Sequence, residues 1–213
     1  MDALTEIELK YTIPDEAAAQ RLLAQTEWGP FRRGPIQQQH LYDRYCDSAD
    51  HALAAAGYAL RVRQAAGMAA VQVKSRSPAG GGHQHQRQEW RVITPTPLQP
   101  LLWPISPARN LILAILPDPA LLPLFAVAQV RHRAGLWLHD QEIAEWTVDR
   151  VSWLVAGRSL TAWEMEIELA PGQSPALLDA VDRYLLAQGQ VQPQTDSKFE
   201  RGLRLLLAAE VQP

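Results

Sequence analysis

The chain has 213 residues, a net charge of −3, 47% hydrophobic and 20% charged side chains. That balance predicts a folded soluble protein and excludes a polybasic nucleic-acid binder. A single cysteine, Cys46, excludes an internal disulfide and suits a reducing compartment. The start, MDALTE, lacks the basic and apolar regions of a secretory signal, and runs such as NLILAIL and LLPLFAV are too short to span a bilayer. The expectation is a cytoplasmic protein with no membrane or nucleic-acid partner.

Residues 6–11, EIELKY, place Glu6, Glu8 and Lys10 on one face of a strand and Ile7, Leu9 and Tyr11 on the other. PDEAAAQRLLAQTEW then reads as an amphipathic helix opened by Pro14 and an acidic first turn. HLYDRYCDS, GYALRVRQ, AAVQVKSR and RQEWRVIT read as strands, with a turn at Gly67 and a longer connection at SPAGGGHQHQ. The proline-rich TPTPLQPLLWPISP excludes a regular helix or central strand, and a short helix is expected near PDPALLPLF. Strands resume at VAQVRHRAGLWLH, QEIAEWTVDRV and LTAWEMEIELA, closed by Pro171 and Gly172. SPALLDAVDRYLLAQ carries an apolar stripe at Leu177, Leu178, Val181, Leu185 and Leu186, and TDSKFERGLRLLLAAE has Ser197 and Glu200 spaced for a capping box. About eight strands and a few helices predict one α+β domain around an antiparallel sheet or barrel.

The polar parity of these strands is almost wholly ionic. Arg61 and Arg63, Lys74 and Arg76, Arg87, Glu89 and Arg91, Arg131 and Arg133, and Glu164, Glu166 and Glu168 keep one parity of their strands, with mostly apolar residues on the other. Three glutamates on one strand face repel each other unless a cation sits among them. If the sheet closes with those faces inward, its contents must bring both signs of charge: a polyanion with bound metal ions. Carboxylate oxygens suit Mg²⁺ or Mn²⁺, and guanidinium groups suit phosphate oxygens.

These residues resemble the CYTH superfamily, the triphosphate tunnel metalloenzymes. EIELK has the opening E-x-E-x-K form, LYDRYCDSAD resembles the second strand, LRVR the paired-arginine strand and VQVK the lysine strand. HQRQEWRV is similar to the R-x-E strand, TVDRV supplies the later aspartate, WEMEIEL the closing E-x-E and SKFERG the lysine-bearing C-terminal helix. Cys46, Arg44 and His132 depart from the pattern. The nearest likeness is to bacterial inorganic triphosphatases, whose CYTH domain often precedes a helical CHAD domain, so a CHAD domain in a longer parent chain is left open.

The resemblance implies a single tunnel domain over residues 1–213: a closed eight-stranded antiparallel β-barrel with a charged interior and flanking helices. It implies hydrolysis of tripolyphosphate to pyrophosphate and phosphate with Mg²⁺ or Mn²⁺. Glu6, Glu8, Asp149, Glu166 and Glu168 would be the metal-side carboxylates. Lys10, Arg61, Arg63, Lys74, Arg87, Arg133 and Lys198 would hold phosphates, joined by Arg131. Glu6, Glu8, Lys10, Glu89 and Lys198 would form the catalytic set, with Glu89 orienting Arg87 or a water. Arg131 and Glu164 share the inward parity, with a position at a tunnel mouth left open for both. The alternatives are hydrolysis or cyclisation of an organic triphosphate, such as thiamine triphosphate or ATP, and a non-catalytic polyphosphate-binding module. His83 and His85 read as a solvated loop, Cys46 as an inert thiol and the tryptophans as core packing.

Overall fold

The computed structural model describes residues 4–65, 68–76 and 82–210. β1 (Leu4–Ile13) leads to α1 (Glu16–Ala24), whose N-cap Asp15 accepts a hydrogen bond from the Ala18 amide. Two short strands, β2 (Glu27–Trp28) and β3 (Phe31–Arg33), precede β4 (Gln37–Asp47). A one-turn helix, α2 (Ala52–Ala55), is followed by β5 (Tyr58–Ala65), β6 (Met68–Ser75) and β7 (Gln84–Thr94). Beyond a 3₁₀ turn at Pro100–Leu102 come α3 (Pro107–Ile115), β8 (Leu122–Leu138), β9 (Gln141–Val155) and β10 (Arg158–Leu169). α4 (Ala176–Ala187), β11 (Gln192–Pro193) and α5 (Lys198–Glu210) complete the order.

Among the described residues eight strands close into an antiparallel ring in the order β8-β4-β5-β6-β7-β1-β10-β9, with β9 pairing back onto β8. β3 extends from β8, β2 from β3, and β11 pairs with β1. Closure leaves the ring without a free edge, the liability of an open sheet.

The apolar parity faces outward and is covered by helices. Leu9, Tyr11, Ile13, Trp146, Met165 and Ile167 pack with Ala18, Leu22, Leu178, Val181 and Leu185 of α1 and α4. On the opposite side Leu60, Val62, Val71, Val73 and Val92 pack with Trp103, Ala108 and Ile112. The arrangement inverts that of a small barrel with an apolar interior.

α5 packs over inward-facing residues at one end of the ring, where Phe199 meets Tyr45, Phe125, Val127, Val151 and Trp153. Its first turn is held by the expected capping box: the Ser197 amide donates to Glu200 (2.8 Å) and the Glu200 amide to Ser197 Oγ (3.2 Å). Gly202 permits the close approach, because a Cβ there would overlap the Phe125 ring. Trp153 therefore lies on the charged parity rather than the apolar one, and its indole N–H donates to the Lys198 carbonyl at 2.9 Å.

Two further expectations change. The helix of the proline-rich stretch is PARNLILAI, residues 107–115, capped by Ser106, while PDPALLPLF runs into β8. Pro107 at the first helical position needs no N–H partner, which favours that start, whereas Pro117, Pro119 and Pro123 would each interrupt a helix. The Gly67 turn lies outside the described residues, as do residues 77–81 of the longer connection.

Candidate active site

Strand register carries the parity of each strand around the ring. Arg87 stands opposite Glu6, Glu8 opposite Glu168, Lys10 opposite Glu166, Glu164 opposite Asp149, and Asp149 opposite Arg131. Asp43 stands opposite Arg63, and Lys74 opposite Glu89. Their side chains meet inside a lumen of about 300 Å³, lined by nine basic and six acidic residues. The chain as a whole carries −3, so positive charge is concentrated where the polypeptide encloses space.

All the predicted site residues come to this lumen or directly behind its wall. At the α5 end Lys198 lies 2.8 Å from Glu166, 3.2 Å from Glu164 and 3.4 Å from Asp149. Burial disfavours its ammonium, but those three carboxylates outweigh burial and raise its pKa well above the ordinary range. Burial alone would raise Glu166; Lys10 (2.6 Å), Lys198 and Arg131 (3.3 Å) instead hold it well below the usual carboxylate range. Arg131 also clamps Asp149 with both Nε (3.0 Å) and Nη2 (2.7 Å). Arg131 and Glu164 thus lie deep rather than at a mouth, because α5 covers their end and Arg201 pairs with Glu164 at 2.7 Å.

A second cluster occupies the β4–β5–β6 wall. Asp43, fully buried, accepts from Arg63 Nε (2.6 Å) and Nη2 (2.7 Å), from Arg61 Nη1 (3.4 Å) and from Gln129 (2.9 Å). Burial pushes its carboxyl up, and Arg63, Arg61 and Arg131 pull it below the ordinary value. Arg61 donates through Nε (3.0 Å) to Gln72, whose amide donates to Glu89 at 2.6 Å. Lys74 joins Glu89 (3.1 Å) to Glu6 (2.7 Å), so Glu89 is held by Lys74 and Gln72 rather than by Arg87. Asp43 and Gln72 were not singled out from sequence, although both share the parity of their charged neighbours.

The third group surrounds Glu8, which is buried beside Lys10 (3.0 Å) and Arg87 (3.4 Å). Burial raises its carboxyl, and these cations with Lys74 bring it below the ordinary value. Arg87 Nη2 also donates to His85 Nδ1 at 2.9 Å. His85 is 2% exposed on β7, not in a solvated loop: it keeps the inward parity of Arg87 and Glu89. His83 is likewise engaged, 2.8 Å from Asp182 of α4, which also accepts from Tyr11 at 2.6 Å. Cys46 is buried as expected, its thiol pushed up to about 12 by desolvation and the Asp47 charge.

Toward the other end Arg133 pairs with Glu145, and Glu168 makes no ion pair among the described residues. Glu8, Glu168 and Glu145 stand in one row across three strands. Glu168 is open to water yet ringed by protein; desolvation first, then Glu6, Glu8 and Glu166, push its carboxyl up to about 7. Among the described residues no three carboxylate, imidazole or thiol groups already converge as a ligand set, because Lys10 and Lys74 stand between the acids. The carboxylate that lacks such a partner among the described residues is Glu168, a hard oxygen donor beside Glu6 and Glu8.

No described helix is long and apolar enough to cross a membrane. A search of curated proteins by sequence found no match. Among solved structures, a Bacillus halodurans protein described as a candidate adenylate cyclase is similar over 94% of this chain and 98% of its own, at 20% identity and a TM-score of 0.68. A Hippeastrum protein, described as a candidate adenylyl cyclase with a dominant triphosphatase activity, is similar over 93% and 95%, at 22% identity and a TM-score of 0.68. A Pyrococcus horikoshii protein is similar over 93% and 98%, at 16% identity and a TM-score of 0.58. Such likenesses establish the closed antiparallel ring as a shared fold. The CYTH domain family model matches residues 4–203, and the chain belongs to the CYTH family.

Proposed function

We propose that the protein is a divalent-metal-dependent inorganic triphosphatase, one CYTH domain over residues 1–213, which hydrolyses tripolyphosphate to pyrophosphate and phosphate inside the lumen. The observation that supports this reading is the pairing of opposite charges around an enclosed cavity with a net-positive lining. A polyanion suits the cations, while the retained carboxylates would repel it unless it arrives with metal. The Hippeastrum relative's described triphosphatase activity is in keeping with hydrolysis on this fold.

The donor set fits Mg²⁺ or Mn²⁺ in chemistry, being carboxylate oxygen throughout. Glu6, Glu8 and Glu168 would hold the ion, with Glu166 and Asp149 joining as Lys10, Lys198 and Arg131 turn to phosphate oxygens. When bound, such an ion supplies charge neutralisation and Lewis-acid polarisation of the phosphoryl group. Arg61 and Arg63, fixed by Asp43, would clamp one stretch of the triphosphate from the β5 wall. Lys74, Arg87, Lys10 and Lys198 would hold oxygens from the facing walls, and Arg133 would meet the substrate at the open end. Glu89 acts through Lys74 and Gln72, keeping the ammonium directed inward. Phosphoryl transfer asks for little more than positioning and charge stabilisation, which these groups supply.

The test is phosphate release from tripolyphosphate with Mg²⁺ or Mn²⁺, beside ATP and thiamine triphosphate, with Glu8→Gln as control. Fast metal-dependent release from tripolyphosphate that the variant loses is the expected result. Preference for ATP or thiamine triphosphate would move the protein to the organic-triphosphate reading. Tight polyphosphate binding without release from any substrate would make it a binding module.

A further inference from the structure

Arg87 is anchored by an imidazole. His85 and Arg87 lie two apart on β7 and so share one face, and the guanidinium donates from Nη2 to His85 Nδ1 at 2.9 Å. An Nδ1 that accepts carries no proton, which places the ring proton on Nε2, within 3.3 Å of the Gln194 carbonyl. Gln194 is itself tied to β1, its amide donating to the Lys10 carbonyl at 2.9 Å, and it lies four residues before Lys198. The ring therefore connects a lumen arginine to the segment that enters α5.

The anchor's charge matters as much as its place. A neutral acceptor holds a guanidinium without cancelling its charge, whereas a second carboxylate beside Glu8 would leave less for an anion. Arg87 is mostly buried yet lines the lumen, where an anion reaches the exposed part of its side chain.

We infer that His85 is a positioning residue: it holds Arg87 through Nη2 and so keeps the guanidinium at the lumen wall for a phosphate oxygen of the substrate. This rests on the triphosphate reading of the lumen. His85 touches no substrate; it acts through Arg87, so its effect belongs to binding and depends on Arg87 being present.

The experiment is a double-variant cycle of His85→Phe and Arg87→Ala, with His85→Gln as the conservative variant. KM and kcat for magnesium tripolyphosphate are read beside calorimetric Kd values, and thermal unfolding confirms that each variant is folded. His85→Phe should raise KM and Kd about tenfold, the scale of a lost hydrogen bond to a charged group, with kcat within about twofold. His85→Gln, which retains an acceptor and a donor, should recover most of the loss. In the Arg87→Ala background His85→Phe should add nothing. Unchanged binding in folded His85→Phe, no recovery by Gln, or losses that multiply with Arg87→Ala would overturn the inference. A wild type that binds tripolyphosphate without hydrolysing it would overturn the hydrolase reading and leave the Kd cycle to decide on His85; one that binds none would overturn both.

Discussion

Glu168 faces Glu8 directly across the β1–β10 ladder, two carboxylates in register with Glu145 next in the same row. Like charges directly opposite destabilise a sheet, and here Lys10 and Arg87 compensate Glu8 while among the described residues no ion pair compensates Glu168. The pair is a local fault in the folded chain unless something positive fills it.

Glu168→Gln should therefore stabilise the metal-free protein while removing its activity. The carboxyl lies up at about 7 in the folded chain against an ordinary 4.5. The native state thus binds more protons between those values, and stability falls as pH rises through that window. Thermal melts at pH 5 and pH 8 without metal should show the variant gaining only at the higher pH. Metal-dependent turnover in the wild type should rise through the same window as the carboxylate forms. A variant less stable than wild type at pH 8, or a rate flat from pH 6 to pH 9, would contradict this account.

Asp43→Asn should cost about 3 kcal/mol in urea unfolding, the scale for removing one partner of a buried ion pair. It leaves Arg61 and Arg63 facing each other without the carboxylate they share. Because the Asp43 carboxyl is held below its ordinary 3.8, its contribution is present above that value and lost as pH falls through the folded value. The variant should show a shallower acid limb. Wild-type stability in Asp43→Asn would mean that the two arginines are held by other groups.

Metal alone should shift the melting temperature little, because Lys10 and Lys74 already occupy the space between the carboxylates. Metal with tripolyphosphate should shift it by about 5–10 °C at a hundredfold excess over Kd, from about 2.7 kcal/mol of linkage in a chain of this size. Equal shifts with and without the triphosphate would show that the metal site is preformed.

Ser197→Ala should loosen the first turn of α5 and cost about 1 kcal/mol, the scale of a lost N-cap. Lys198 sits in that turn, so turnover should fall along with stability. A loss of stability with turnover intact would show that Lys198 is held by its carboxylates alone.

Much of this was legible because a strand has only two faces. EIELKY, LRVR, VQVK and WEMEIEL each declare an ionic parity, and the capping box of Ser197 and Glu200 is a purely local event. His85 also kept the parity of Arg87, but the neighbouring glycines made it read as part of a loop.

Parity says which residues share a face and nothing about which partner stands across the ladder. Asp43 between Arg61 and Arg63, Lys198 among Glu164, Glu166 and Asp149, and the row of Glu8, Glu168 and Glu145 were decided by strand order, register and the entry of α5. Coulombic compensation depends on distances of a few ångströms between residues far apart in the chain. Alternation along the sequence thus determined the ionic parity, and ring closure together with the entry of α5 decided which charges neutralise one another and that Glu168 is left over among the described residues.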